Sequence, residues 1–91
     1  MDKGNIVHGS FFILRYLKQD FPQYAFVAPK KIAKGAVERN SLRRKGYNIL
    51  RFYDPKSCAG IFFYKKEALK ASSLEIKKDI GFILKKVKII E

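Results

Sequence analysis

Apolar positions along this chain change their period three times, and the changes mark out its elements. Ile6 to Leu17 reads IVHGSFFILRYL, an extended stretch with a break at Gly9-Ser10. Its aromatic and β-branched content favours strand. Gln19 to Gln23, with Asp20 and Pro22, is a turn, and Tyr24 to Ala28 (YAFVA) predicts a short strand ended by Pro29. Lys30 to Gly35 is a basic connection. From about Ala36 to Phe52 the spacing becomes helical: Leu42, Gly46, Ile49, Leu50 and Tyr53 fall on one side, and Asp54-Pro55 stops the helix. Gly46 in mid-helix costs ~1 kcal/mol relative to Ala. It lies on the apolar side, where a missing side chain allows close packing on a sheet. Ala59 to Tyr64 (AGIFFY) predicts another strand. Ser72 to Glu75 is an S-x-x-E capping-box pattern. It opens a final helix in which Ile76, Ile80, Ile83, Leu84 and Val87 share a face.

The order β-β-β-α-β-α predicts an α+β fold. It would be a small single-domain sandwich over residues 1–91, with a mostly antiparallel sheet of about four strands and two helices. Phe11, Ile13, Ile61 and Phe63 alternate with Phe12, Leu14, Phe62 and Tyr64, so both sheet faces read as apolar or aromatic. Two helices cover only one face. The other keeps aromatics beside Arg15 and Lys65, which suits either a core edge or dimer contact, or a platform for stacking unpaired bases between cations.

Charge sharpens the picture. Twenty Lys and Arg stand against eight Asp and Glu, a net charge of +12 on 91 residues. Such an imbalance costs self-repulsion in the folded state and points to a polyanionic partner. Its densest expression is Val37 to Tyr47, VERNSLRRKGY. On a helix, Arg39, Asn40, Arg43, Arg44 and Tyr47 project within an arc of roughly 140°. Most charged helix faces are simply solvated, but those usually mix signs, and this stripe holds no acid. Guanidinium groups offer planar, bidentate hydrogen bonds to phosphate oxygens.

Other chemistries are poorly supplied. A single Cys58 excludes an internal disulfide, and with the lone His8 it disfavours a Cys or His metal site or nucleophile. There is no carboxylate cluster for paired metals and no Gly-rich phosphate loop. No signal sequence is visible and no apolar run approaches the ~20 residues of a membrane span. The expectation is therefore a cytoplasmic protein with no membrane association.

These segments resemble the bacterial ribonuclease P protein subunit. VERNSLRR resembles that family's RNxxKR motif, and the likeness extends outward through GNIVHGSFFILRYL, FVAPKKIAKGAVERN and GIFFYKKEAL. Arg39 and Asn40 match the motif's Arg-Asn, Arg43 stands at its Lys and Arg44 at its Arg. Lys30 and Lys31 match a Lys-Lys pair, Arg51 a basic position near the helix end, and Lys65 and Lys66 the basic pair after the fourth strand. There are departures. Ser41 replaces a usual Arg, Tyr47 sits where the motif's last Arg is expected, and the loop from Lys31 to Ala36 is slightly longer. The family's N-terminal helix has no counterpart, so the chain reads as a short form.

The resemblance implies an accessory subunit of an endoribonuclease whose catalytic RNA, with Mg2+, removes the 5′ leader from precursor tRNA. The protein itself would bind no cofactor and carry no catalytic residue. Lys30, Lys31, Arg39, Asn40, Arg43, Arg44, Tyr47 and Arg51 would bind RNA. Phe11, Ile13, Arg15, Phe63, Lys65 and Lys66 would receive the leader. The partners would be the catalytic RNA and precursor tRNA. The chain would be a monomer, with weak self-association available through the uncovered sheet face. The alternative is a ribosomal or other structural RNA-binding protein; a protein-only nuclease and a DNA-binding protein fit less well.

Overall fold

The structure, a computed structural model, describes residues 5–17, 19–53 and 58–87. Asp54-Pro55, the expected helix stop, lies outside the described residues. The elements are β1 (Asn5–His8), β2 (Phe12–Leu17), β3 (Gln23–Val27), α1 (Ala36–Tyr53), β4 (Ala59–Tyr64), a 3-10 turn at Lys66–Lys70 and α2 (Ser73–Lys86). The expected α+β order holds, and the 3-10 turn is an addition. The sheet runs β1-β2-β4-β3. Strands β1 and β2, and β2 and β4, pair antiparallel; β3 pairs parallel with β4, so α1 serves as the crossover between them.

The break at Gly9-Ser10 is a tight reversal. Gly9 N–H donates to the Phe12 carbonyl at 2.8 Å, which closes the β1–β2 hairpin. The turn is gripped by α2. Asp79, only 6% exposed, accepts the Ser10 N–H at 2.8 Å and the Phe11 N–H at 2.9 Å. Two backbone donors justify a carboxylate in a buried position. Gly9 makes room for it, since a Cβ there would stand 2.7 and 2.8 Å from the two carboxylate oxygens.

Both helices lie on the face that presents Phe12, Leu14, Phe26, Phe62 and Tyr64. Helix α2 buries Ile76, Ile80, Ile83 and Leu84 against it. The Ser72 hydroxyl accepts the Glu75 N–H at 3.2 Å and the Glu75 carboxylate accepts the Ser72 N–H at 2.8 Å, so the capping box is fully formed. Aromatic rings dominate the core. Phe26 stacks on Phe62 with centroids 4.8 Å apart, and Phe12 meets Phe62 edge to face at 5.7 Å. Such pairs add ~0.5–1.5 kcal/mol each beyond their burial.

Helix α1 seats on Phe26 through Gly46, as its place on the apolar side suggests. A Cβ at Gly46 would come within 2.5 Å of the ring. The hydroxyl of Tyr64 on β4 donates to the Leu42 carbonyl of α1 at 2.5 Å. Burial holds that hydroxyl well above the ordinary phenol range, so it stays protonated and able to donate.

Gly46→Ala tests this contact. Alanine gains ~1 kcal/mol of helix propensity, but a Cβ pressed against a ring already stacked on Phe62 costs ~2–3 kcal/mol, the upper end of the range for overpacking. Net destabilisation of roughly 1–2 kcal/mol is expected in urea denaturation, and a variant as stable as the parent would mean that α1 stands farther from the sheet.

Candidate nucleic-acid interface

Docking through Gly46 and Leu50 turns the opposite side of α1 outward. Arg44 and Arg51 are exposed there, Asn40, Arg43 and Tyr47 are exposed along the flank, and Arg39 is half-buried. Arg39 does double duty: its Nη1 donates to the carbonyls of Ala33 at 3.1 Å and Lys34 at 2.7 Å, which ties down the loop before the helix. Arg43 Nη2 donates to Asn40 Oδ1, so these two side chains hold each other in place. Arg44 and Arg51 project from the same side. The single acid of the helix, Glu38, turns back to its start. Its carboxylate accepts the Gly35 N–H at 3.4 Å, at the positive end of the helix dipole.

Tyr47 replaces the expected arginine with an edge cover. Its ring meets Phe26 edge to face at 5.1 Å, and its hydroxyl accepts the Phe26 N–H at 3.3 Å. Strand β3 is one of the two edge strands of the sheet, so this bond occupies a backbone donor that would otherwise lie open. Lys30 and Lys31 sit exposed in the turn that leads from β3 to α1, where the Ile32 and Ala33 N–H groups both donate to the Pro29 carbonyl.

The second candidate surface is the sheet face away from the helices. Pairing register sets it out as two rows across all four strands. One runs His8, Ile13, Phe63, Val27; the next runs Ile6, Arg15, Ile61, Ala25. Ile61 is 39% exposed and Ile6 56%. Ile13, Arg15 and Phe63 therefore stand together as expected. Phe11 does not join them. It precedes β2, packs against the core and faces a groove beside α2 lined also by Ser10, Lys78 and Phe82. Strand alternation stops at the Gly9 turn, so parity could not be carried back to Phe11.

Lys65 is half-buried at the end of β4. Its Nζ donates to the Gly9 carbonyl and its backbone N–H to the Phe11 carbonyl, each at 2.8 Å, so it clamps the hairpin turn as well as lending charge. Lys66 is exposed on the 3-10 turn. His8, Ile6, Val27 and Ala25 were not among the expected site residues. Their place depends on strand register, which the local pattern does not encode. Asp79 did carry a signal: it is a lone acid on the apolar side of α2, between Ile76, Ile80 and Ile83.

Together these features define a small α+β domain that covers one sheet face with helices, leaves the other bare among the described residues, and lines α1 with arginine. The ribonuclease P family model matches residues 1–88. Among solved structures, the Staphylococcus aureus RNase P protein superposes with a TM-score of 0.85 at 20% identity, covering 98% of this chain and 85% of that one. The Thermotoga maritima RNase P protein gives 0.81 at 20% identity, covering 92% and 84%. No curated protein matches the sequence significantly. The chain belongs to the ribonuclease P family, as a protein subunit of the bacterial type. Membership implies association with ribonuclease P RNA and a part in tRNA processing, and it does not favour a ribosomal role. Among the described residues, no helix is long and apolar enough to cross a membrane.

The two kinds of arginine on α1 separate experimentally. Arg39→Ala should cost stability, ~1–2 kcal/mol for its charge-assisted bonds to two carbonyls, and should weaken RNA binding as well. Arg44→Ala should leave the melting temperature unchanged and weaken binding alone. Equal melting temperatures for the two variants would contradict the role given to Arg39.

Proposed function

We propose that this chain leaves the cutting of precursor tRNA to the RNA subunit and supplies two surfaces to it. The observation that carries the reading is the acid-free arginine face of α1, held outward by Gly46. It neutralises phosphates of the catalytic RNA and helps hold that RNA in its active fold. Phosphate contacts position RNA and carry little base information, so shape dominates recognition. Arg43, Arg44 and Arg51 are the primary contacts, with Lys30 and Lys31 at the helix entrance and Asn40 fixing Arg43.

The bare sheet face receives the unpaired 5′ leader. Phe63 and Ile13 offer flat apolar surface for bases, and Arg15 supplies charge in the adjacent row. Lys65 and Lys66 extend the charge along the end of β4. Among the described residues no group of three or more His, Cys, Asp or Glu could hold a metal ion. The proposal assigns Mg2+ to the RNA, as the likeness to the family implies, and routes no step of the chemistry through this chain. The chain acts as a monomer in the cytoplasm, where precursor tRNA is matured. Weak self-association through the sheet face is the competing use of that surface.

The deciding experiment is cleavage of precursor tRNA by a ribonuclease P RNA across a magnesium series, with and without the chain. Stimulation should be greatest where magnesium is scarce, because protein cations then replace metal screening. The chain alone should cut nothing; RNA-free cleavage that survives repurification would overturn the assignment of chemistry to the RNA.

Two variants divide the surfaces. Changing Arg43 and Arg44 together to Ala should flatten the log–log salt dependence of binding to the catalytic RNA by about two units, one for each phosphate no longer neutralised. Phe63→Ala should weaken precursor tRNA more than mature tRNA, by ~1–3 kcal/mol for one lost stack. If both tRNAs weaken equally, the sheet face is not the leader site.

A further inference from the structure

The outer side of α2 is not used by the reading above, yet it repeats the same chemistry. At 100° per residue, Leu74, Lys78, Phe82, Lys85 and Lys86 fall within about 120° of one another, on the side away from the core. Phe82 is 54% exposed, and Lys86 Nζ lies 5.7 Å from its ring centroid. A similar pair stands at the junction with α1. Phe52 is 67% exposed, and Lys77 Nζ sits 3.6 Å above its ring. Between Phe82 and the hairpin turn runs a shallow groove of about 340 Å³, lined also by Ser10, Phe11, Glu75, Lys78 and Asp79.

One acid shares this face: Glu75 is exposed and offsets one of the three lysines, Lys78, Lys85 and Lys86. The Glu75 carboxylate is engaged by the Ser72 N–H, and Asp79 is buried under the Ser10 and Phe11 donors. The outward face therefore keeps a net positive charge around the Phe82 ring, with Glu75 at its N-terminal end. Lys78 and Lys85 stand about 10 Å apart along the helix axis, with Phe82 between them. An acidic protein would match the charge but not the rings. A nucleic-acid strand with unpaired bases matches both, since each nucleotide offers a phosphate and a flat face.

We propose that the outer face of α2 is a second RNA-binding surface, which takes an unpaired strand by stacking a base on Phe82 and seating phosphates on Lys78 and Lys85. It faces away from the sheet surface, so one molecule can hold two RNA segments on opposite sides. Stacking is tolerant of base identity, so this surface should show little sequence preference.

The test uses the full chain and a short oligouridylate, in a background of Arg43→Ala, Arg44→Ala and Phe63→Ala that silences the other two surfaces. Phe82→Ala should weaken binding by roughly tenfold, and Phe82→Tyr, which keeps a ring, should restore it. Lys78→Gln with Lys85→Gln should reduce the log–log salt slope by about 1.4, the value for two phosphates of a single strand. Unchanged affinity and slope in these variants would overturn the proposal. So would a polyglutamate peptide that competes as well as the oligouridylate, since charge alone would then account for binding. The cleavage assay keeps the two readings apart. If the parent chain fails to stimulate cleavage while these variants lose oligouridylate, the proposed function falls and this surface stands. If stimulation is seen but the variants bind as the parent does, the reverse holds.

Discussion

The close approach of Gly46 to the Phe26 ring is the contact on which the arrangement depends. On its other side Phe26 stacks on Phe62, so the ring is held between a strand of its own sheet and the backbone of α1. Only a residue without a side chain lets the helix come this near. That approach fixes the rotation of α1 about its axis: once Gly46 and Leu50 face inward, Arg44 and Arg51, roughly 100° or more around the helix from both, face outward, and Asn40 stands at the flank. The Tyr64 hydroxyl, kept protonated by burial, adds a second tether at Leu42. Tyr47 adds a third at the sheet edge. The proposed RNA surface is thus a by-product of how the core is filled.

The other constraint is arithmetic. Two helices pack on one face of a four-stranded sheet, and the strands carry apolar residues on both. A bare apolar face is a liability in a monomer and usually marks an interaction site. High net charge of one sign offsets that liability, because copies of the chain repel each other. The same charge attracts RNA. Bare sheet, basic α1 and basic α2 are therefore linked features, and the third of them extends the chain's reach to the side opposite the sheet.

Much of this was legible in the sequence because the signals were local. Helical spacing placed α1 and α2, the Ser72–Glu75 pattern placed the start of α2, and the glycine on the apolar side of α1 announced close packing. What was not legible depends on distant partners. Phe11 looked like part of the alternating row, but the Gly9 turn breaks the alternation and turns Phe11 toward α2. The contribution of His8 and Val27 to the sheet face needed the pairing register. The tether of Arg39 to Ala33 and Lys34, and the clamp of Asp79 and Lys65 on the hairpin turn, required knowledge of which backbone groups the fold leaves exposed. A basic stripe can be read one residue at a time, whereas its division into tethers and free cations cannot.

Directed hydroxyl-radical probing of the assembled holoenzyme with precursor tRNA tests the central claim most directly. An iron chelate would be tethered to a cysteine introduced at Asn48, beside the arginine face, or at Ile61, on the bare sheet; native Cys58 is buried and should stay unlabelled. The account predicts cuts in the catalytic RNA from position 48 and in the 5′ leader from position 61. The same pattern of cuts from both positions, or leader cuts from position 48 alone, would contradict it.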